Sequence, residues 1–245
     1  FKIYSQSTHT ALNFSKNKYF HSTKLVSETT TNTTFYNTNS LERTKEITSF
    51  NTKNKVTSEL RYDENDNLKQ RLTRLYDSTQ INCIARKFEN WHPILGHTTE
   101  IASYIYDTNS NLINVIDKDV NGNILRHTNI INDEKGKPIE LTNIVGDEII
   151  GKEITSYDYE KNEAIIQYFN KRGELVNTET TKIEYSKSKP TDIVNEYGDI
   201  VKSSTYEMEI KYDKFGNWIK KKYSTIANGK LTKKSEATRI IKYLK

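Results

Sequence analysis

Along most of the chain, apolar and polar residues alternate one by one. From Thr205 to Asp213, one set holds Tyr206, Met208, Ile210 and Tyr212, and the other holds Thr205, Glu207, Glu209, Lys211 and Asp213. Leu68, Leu72 and Tyr76 share a face with Gln70 and Arg74, and Ile139, Leu141 and Val145 fall on one face of a further segment. A period of two marks half-buried β-strands. No segment carries the apolar spacing of a long amphipathic helix. The strands are separated by a recurring phrase: an aromatic or aliphatic residue, Asp or Asn, two variable residues, a turn residue, a polar residue, then an apolar one. It reads Phe50–Val56, Tyr62–Leu68, Tyr106–Leu112 and Tyr212–Trp218. Looser copies are Lys118–Ile124, Asn132–Ile139, Phe169–Leu175, Val194–Ile200 and the shorter Ile226–Leu231.

The phrase has turn chemistry. Asp or Asn at its second position caps a turn with its side chain, and Gly or Asn further on takes a positive φ. A type I turn followed by a left-handed residue closes a hairpin through a bulge. Of the nine glycines, those at 122, 136, 173, 198, 216 and 229 sit at or beside this slot, so glycine here punctuates turns. Nothing reads as a phosphate-binding loop or dinucleotide fingerprint.

The pattern predicts an all-β fold: an extended, curved antiparallel β-meander of repeated hairpins with a thin core and little or no helix. Two regions depart from it. Residues 1–34 read as one or two N-terminal strands followed by a connection or edge, the Ser/Thr/Asn-rich stretch 27–34. Residues 35–245 read as one repetitive β-sheet domain, with a non-repeat loop insertion near 84–103 that holds Pro93.

Composition sharpens this picture. Only 34% of the 245 residues are hydrophobic, and Tyr supplies sixteen of the aromatics. Many inward strand positions are therefore Thr, Gln, Arg or Asn, with Tyr covering its apolar neighbours while its hydroxyl stays wet. Such a thin sheet points to a partner or to assembly. The net charge of +5 is dispersed among acids, which argues against nucleic acid as a partner. The run Lys220-Lys221-Lys222, with Lys230, Lys233 and Lys234, reads as a solvated strand face. No stretch is long and apolar enough for a transmembrane helix, and no signal peptide is visible at Phe1. One cysteine, Cys83, excludes an internal disulfide framework and reads as a small buried strand residue.

The phrases at Tyr62-Asp63, Tyr106-Asp107 and Tyr212-Asp213-Lys214-Phe215-Gly216-Asn217-Trp218 resemble the tyrosine–aspartate (YD) repeats of bacterial Rhs-type proteins. The ending Arg239–Lys245 looks like the closing strand of small secreted members. The resemblance covers roughly residues 36–245. It implies an exported bacterial protein without a toxin domain, located in the envelope, periplasm or at the cell surface with its signal peptide removed. It carries over no catalytic residues.

No catalytic, cofactor or metal site can be assembled. His92 and His97 lie five apart across Pro93 and Gly96, the wrong spacing for a helical metal pair. Asp147-Glu148, Asp117 and Asp119 fall at predicted turns. Asp63–Asn67 faintly resembles a calcium loop but lacks its Gly and distal Glu. The candidates for contact with a partner are Trp91, His92, His97, Trp218, Tyr206 and Tyr212, because exposed aromatics concentrate binding energy. The expected function is a non-enzymatic interaction or scaffold protein of the cell envelope. It would bind a protein partner, capping or plugging a larger outer-membrane secretion or uptake complex. The alternative is a carbohydrate-binding surface protein using Tyr and Trp on the sheet, a glycan being the partner in that case.

Overall fold

A computed structural model describes residues 7–13, 20, 24–183 and 191–244. The architecture is an all-β antiparallel meander with one six-residue helix, α1 (Thr8–Asn13), among the described residues. The chain divides into two compact units. The first holds residues 1–17, 82–87 and 99–186, and the second holds 18–81, 88–98 and 187–245.

The second unit is built on β1 (Val26–Tyr36), β2 (Leu41–Phe50), β3 (Val56–Tyr62) and β4 (Leu68–Tyr76). The ends of β5 (Cys83–His92) and β6 (Gly96–Tyr106) that meet at their shared turn also belong to it. The first unit continues with the rest of β5 and β6, then β7 (Leu112–Lys118), β8 (Ile124–Asn132), β9 (Pro138–Val145), β10 (Glu148–Asp158), β11 (Glu163–Asn170) and β12 (Leu175–Lys182). The second unit then resumes with β13 (Ile193–Val194), β14 (Ile200–Lys202), β15 (Tyr206–Tyr212), β16 (Trp218–Ala227) and β17 (Lys230–Tyr243).

The turns close as their chemistry dictates. At Asn51, Asp63, Asp107, Asp119, Asp133, Asn170, Asn195 and Asp213, the side-chain Oδ1 accepts backbone N–H groups two and four residues on. The residue three after each of these takes a positive φ: Asn54, Asp66, Ser110, Gly122, Gly136, Gly173, Gly198 and Gly216. Pairing registers slip beside these turns, as the expected bulge requires. Two turns of related chemistry escape the phrase. One starts at Asp77 and places Gln80 at φ 64°; the other starts at Asp158 and places Asn162 at φ 58°.

Two sequence expectations need correction. The stretch Ser27–Thr34 is neither a connection nor an edge: it lies in β1, which pairs with β17 on one side and β2 on the other. Ladder hydrogen bonds use only backbone, so a Thr-rich strand can sit inside a sheet when its neighbours supply partners on both sides. The expected strands before it fall partly on residues 1–6, 14–19 and 21–23, which lie outside the described residues, and Thr8–Asn13 is helical. The stretch 84–103 is not a loop. It is most of the β5–β6 hairpin, with Pro93 confined to the turn.

The buried faces are as polar as the composition implied. In the second unit Phe20, Val26, Phe50 and Val56 form a small apolar core against Ile241 and Tyr243. Beside it Thr29, Thr48 and Arg239 are buried. In the first unit Leu141, Ala164 and Ile166 share the interior with Arg126, Thr128, Asn143 and Glu153. Several of these polar groups find partners: Arg126 ion-pairs with Asp117, and Thr128 donates to Asn143 Oδ1 at 2.8 Å. Asp117 therefore sits in strand β7 rather than in a turn. The backbone N–H of Thr8 in α1 donates to Glu153 Oε2 at 2.8 Å. Val145, grouped by spacing with Leu141, is exposed, and Asn143 takes the buried place. Cys83 is buried, as expected.

Neighbouring hairpins are stitched by tyrosines standing immediately before a turn Asp. Tyr76 donates its hydroxyl to Val56 O at 2.8 Å, Tyr106 to Cys83 O at 2.8 Å and Tyr157 to Pro138 O at 2.6 Å. Asn132 occupies the same position and donates to Leu112 O at 3.0 Å. Each stitch reaches the first residue of a strand, or the first after an earlier turn, on the same edge of its unit. Tyr62, before a turn on the opposite edge, makes no such bond and packs under Lys45.

Candidate interaction site

The β5–β6 turn carries two adjacent aliphatic residues, Ile94 and Leu95, at its tip. Pro93 fixes its entry, and Gly96 takes φ +73°, a conformation L side chains rarely adopt. His92 Nδ1 accepts the N–H groups of both Ile94 and Leu95, each at 3.1 Å. Nε2 therefore carries the imidazole proton in this arrangement. Because the turn donors are satisfied internally, the tip can leave water without stranding them. Ile94 is 85% exposed and Leu95 62% exposed.

The base of the hairpin is closed by ring and charge contacts. The Trp91 and His97 rings stack with centroids 4.8 Å apart and an interplanar angle of 26°. The Arg71 guanidinium from β4 lies 5.6 Å from the Trp91 centroid. Buried Glu89 joins the two sides: its Oε1 is 3.7 Å from His97 Nε2 and its Oε2 is 3.7 Å from Arg71 Nη1. Trp91, His92 and His97 thus come together, with His92 serving the turn and the other two serving its base. Arg71, Glu89, Ile94 and Leu95 were missed by the sequence reasoning. The signal was there for the last two, as adjacent aliphatics inside a turn between Pro93 and Gly96.

The other candidates lie on β15 and β16. Trp218 and Tyr212 are cross-strand partners. The Trp218 ring is engaged by two cations, the Arg239 guanidinium at 3.9 Å and Lys221 Nζ at 4.8 Å. Burial pushes Arg239 down to about 10 and also lowers Lys221. Tyr212 stacks on Tyr197 at 4.0 Å and donates to Asp199 Oδ2 at 2.5 Å. Burial first, then that bond, pushes its phenol up to about 12. Tyr206 lies 5.7 Å from Tyr223. The lysine run is divided by strand alternation. Lys220 pairs with Glu236 and Lys222 with Glu209, while Lys221 turns to Trp218.

Among the described residues, no group of three or more His, Cys, Asp or Glu side chains is placed to hold a metal ion. No helix of the described residues is long and apolar enough to cross a membrane.

No protein-family model and no curated protein matches the chain. Solved structures resemble it weakly. One is a porin-like protein from Bacteroides uniformis, at 13% identity and a TM-score of 0.45, over 89% of this chain and 96% of that one. Another is TcdB2-TccC3, at 13% identity and a TM-score of 0.27, over 80% of this chain and 10% of that one.

Proposed function

We propose that this chain is a non-enzymatic interaction module whose protein partner receives the tip of the β5–β6 hairpin. The observation that carries the reading is the pair Ile94–Leu95, held in solvent on a turn whose N–H groups His92 already satisfies. Burying two aliphatic side chains yields roughly 1.5–3 kcal/mol each, enough for a hot spot when a complementary pocket excludes water. The partner therefore offers an apolar pocket, with polar groups around it that meet Arg71 and His97. The resemblance of the turn phrases to YD repeats supports a bacterial envelope protein, acting as an accessory subunit that caps or plugs a larger outer-membrane complex.

The test compares wild-type protein with an Ile94→Asp/Leu95→Asp variant as bait in detergent-solubilised envelope extract. One defined protein retained by the wild type and lost from the variant, with both baits equally folded by circular dichroism, supports the proposal. Identical retention by both baits overturns it, as does retention of nothing.

A further inference from the structure

A second surface lies apart from the hairpin tip and shares no lining residue with it. The second unit holds a groove of about 630 Å³ over β1, β2 and the β3–β4 turn, a size within the ordinary range of small-ligand sites. Three cross-strand pairs form its floor: Phe35 opposite Glu42, Thr33 opposite Thr44, and Thr31 opposite Glu46. They share one face because alternate strand residues point the same way. Thr31 and Phe35 are four positions apart along the strand, which makes the floor roughly 13 Å long.

The polar groups of this groove are fixed in part and free in part. The Thr48 hydroxyl donates to Glu46 Oε1 at 3.4 Å, and Arg61 Nε donates to Glu46 Oε2 at 2.7 Å. Arg61 Nη1 then donates to Gln70 Oε1 at 3.3 Å. This chain holds three planar groups along one wall, the geometry that engages neighbouring hydroxyls two at a time. The hydroxyls of Thr31, Thr33 and Thr44 have no hydrogen-bond partner among the described residues. Phe35 is 39% exposed at one end of the floor, offering an apolar ring beside hydroxyl-binding groups.

The charges balance. Glu42, Glu46, Asp63 and Glu64 stand against Arg43, Lys45, Arg61 and Lys69. Two of these acids are already paired within the groove, Glu46 with Arg61 and Asp63 with Lys69. Such a lining concentrates neither anions nor cations. We infer that this groove binds a short neutral oligosaccharide, its hydroxyls met by the threonines and the Glu46–Arg61–Gln70 wall, its apolar ring face by Phe35. The site is separate from Trp91 and Trp218, whose rings are engaged by Arg71 and His97 and by Arg239 and Lys221.

The test screens the whole chain on an array of neutral, sulfated and sialylated oligosaccharides and measures the best neutral glycan by calorimetry. The expected result is binding of a neutral glycan that Phe35→Ala and Thr44→Val each weaken about tenfold, the equivalent of one lost contact of roughly 1.4 kcal/mol. Thr44→Ser, which keeps the hydroxyl, retains binding within about twofold, and so does Ile94→Asp/Leu95→Asp, which separates this result from the fate of the hairpin proposal. Urea midpoints confirm that each variant folds. Three outcomes overturn the inference: no neutral glycan binds, a charged glycan is preferred, or binding survives both Phe35→Ala and Thr44→Val.

Discussion

Removing single hydroxyls from the tyrosine stitches tests how the hairpins are held to one another. Tyr76, Tyr106 and Tyr157 each donate to a backbone carbonyl, at Val56, Cys83 and Pro138, over 2.6–2.8 Å. All three acceptor residues are buried. Tyr→Phe keeps the ring and its packing and deletes only the donor. An intramolecular hydrogen bond contributes about 1 kcal/mol net, and a buried acceptor left without its partner raises the loss toward about 2 kcal/mol. The three bonds share no residue, so their losses add, and the triple variant loses roughly 3–6 kcal/mol. For a chain of this length each kcal/mol lowers the melting temperature by about 2–4 °C. Tyr62→Phe is the control. Its ring sits before the same Asp-led turn, and its hydroxyl makes no hydrogen bond among the described residues. That variant stays within about 0.5 kcal/mol of wild type. Urea unfolding followed by circular dichroism at neutral pH measures the wild type, the three single variants, the triple variant and Tyr62→Phe. The reasoning is refuted if Tyr62→Phe loses as much as Tyr157→Phe, or if the triple variant loses less than about 1 kcal/mol.

Acid should unfold the protein through its turns. Asp63 is held below the usual carboxylate range by Lys69, Asp107 by Asn111 and Asp119 by Asn123. A carboxyl lowered by folding adds stability that is complete above its unfolded value near 3.8 and disappears as pH falls through the folded one. Melting temperatures from pH 7 to pH 2 should therefore hold level and then drop below about pH 4, and a level curve to pH 2 would falsify this account. Glu153 behaves oppositely: burial raises its pKa, so its charge opposes folding at neutral pH. Glu153→Gln keeps an acceptor for the Thr8 N–H and should be neutral to stabilising at pH 7, whereas a loss above about 1 kcal/mol speaks against a burial penalty. Gly136→Ala should destabilise more than Gly122→Ala. Both residues have positive φ, but a Cβ at 136 would stand 2.3 Å from Asn111 Oδ1 while one at 122 meets open space. Equal urea midpoints for the two variants exclude that difference. Ile94→Ser and Leu95→Ser should leave the melting temperature unchanged while weakening partner capture, since neither side chain is packed; a melting temperature lowered by several degrees would show that the tip supports the fold.

What the sequence revealed depended on how far each determinant reaches. The turns were legible because a cap and a positive φ act within five residues. The Asp77 turn escaped because Gln80, unlike the Gly, Asn, Asp or Ser of the other copies, is not a turn residue, yet it takes φ 64°. Strand alternation was legible on β15 and on β9, where it placed Leu141 on the covered face but could not tell that Asn143 is buried while Val145, beside the next turn, is exposed. The stitches were invisible because Tyr157 meets Pro138 only after two strands have folded back. β1 was misread because its composition says polar, whereas its place is set by partners far along the chain. At the candidate site, Trp91 and His97 were both named from the sequence but not as a stacked pair, and Arg71 and Glu89 join them only through packing between strands.

β1 lies between β2 and β17, with Thr31 facing Glu46 on one side and Arg239 on the other. During synthesis β2 emerges directly after β1, while β17 arrives only after every other strand described here. Until then one flank of β1 is an open row of backbone donors and acceptors, able to template a strand from another copy. The second unit therefore completes its pairing at β1 only once β17 is available. A ribosome-stalled or proteolysed chain that ends before residue 230 would be prone to self-association through that flank.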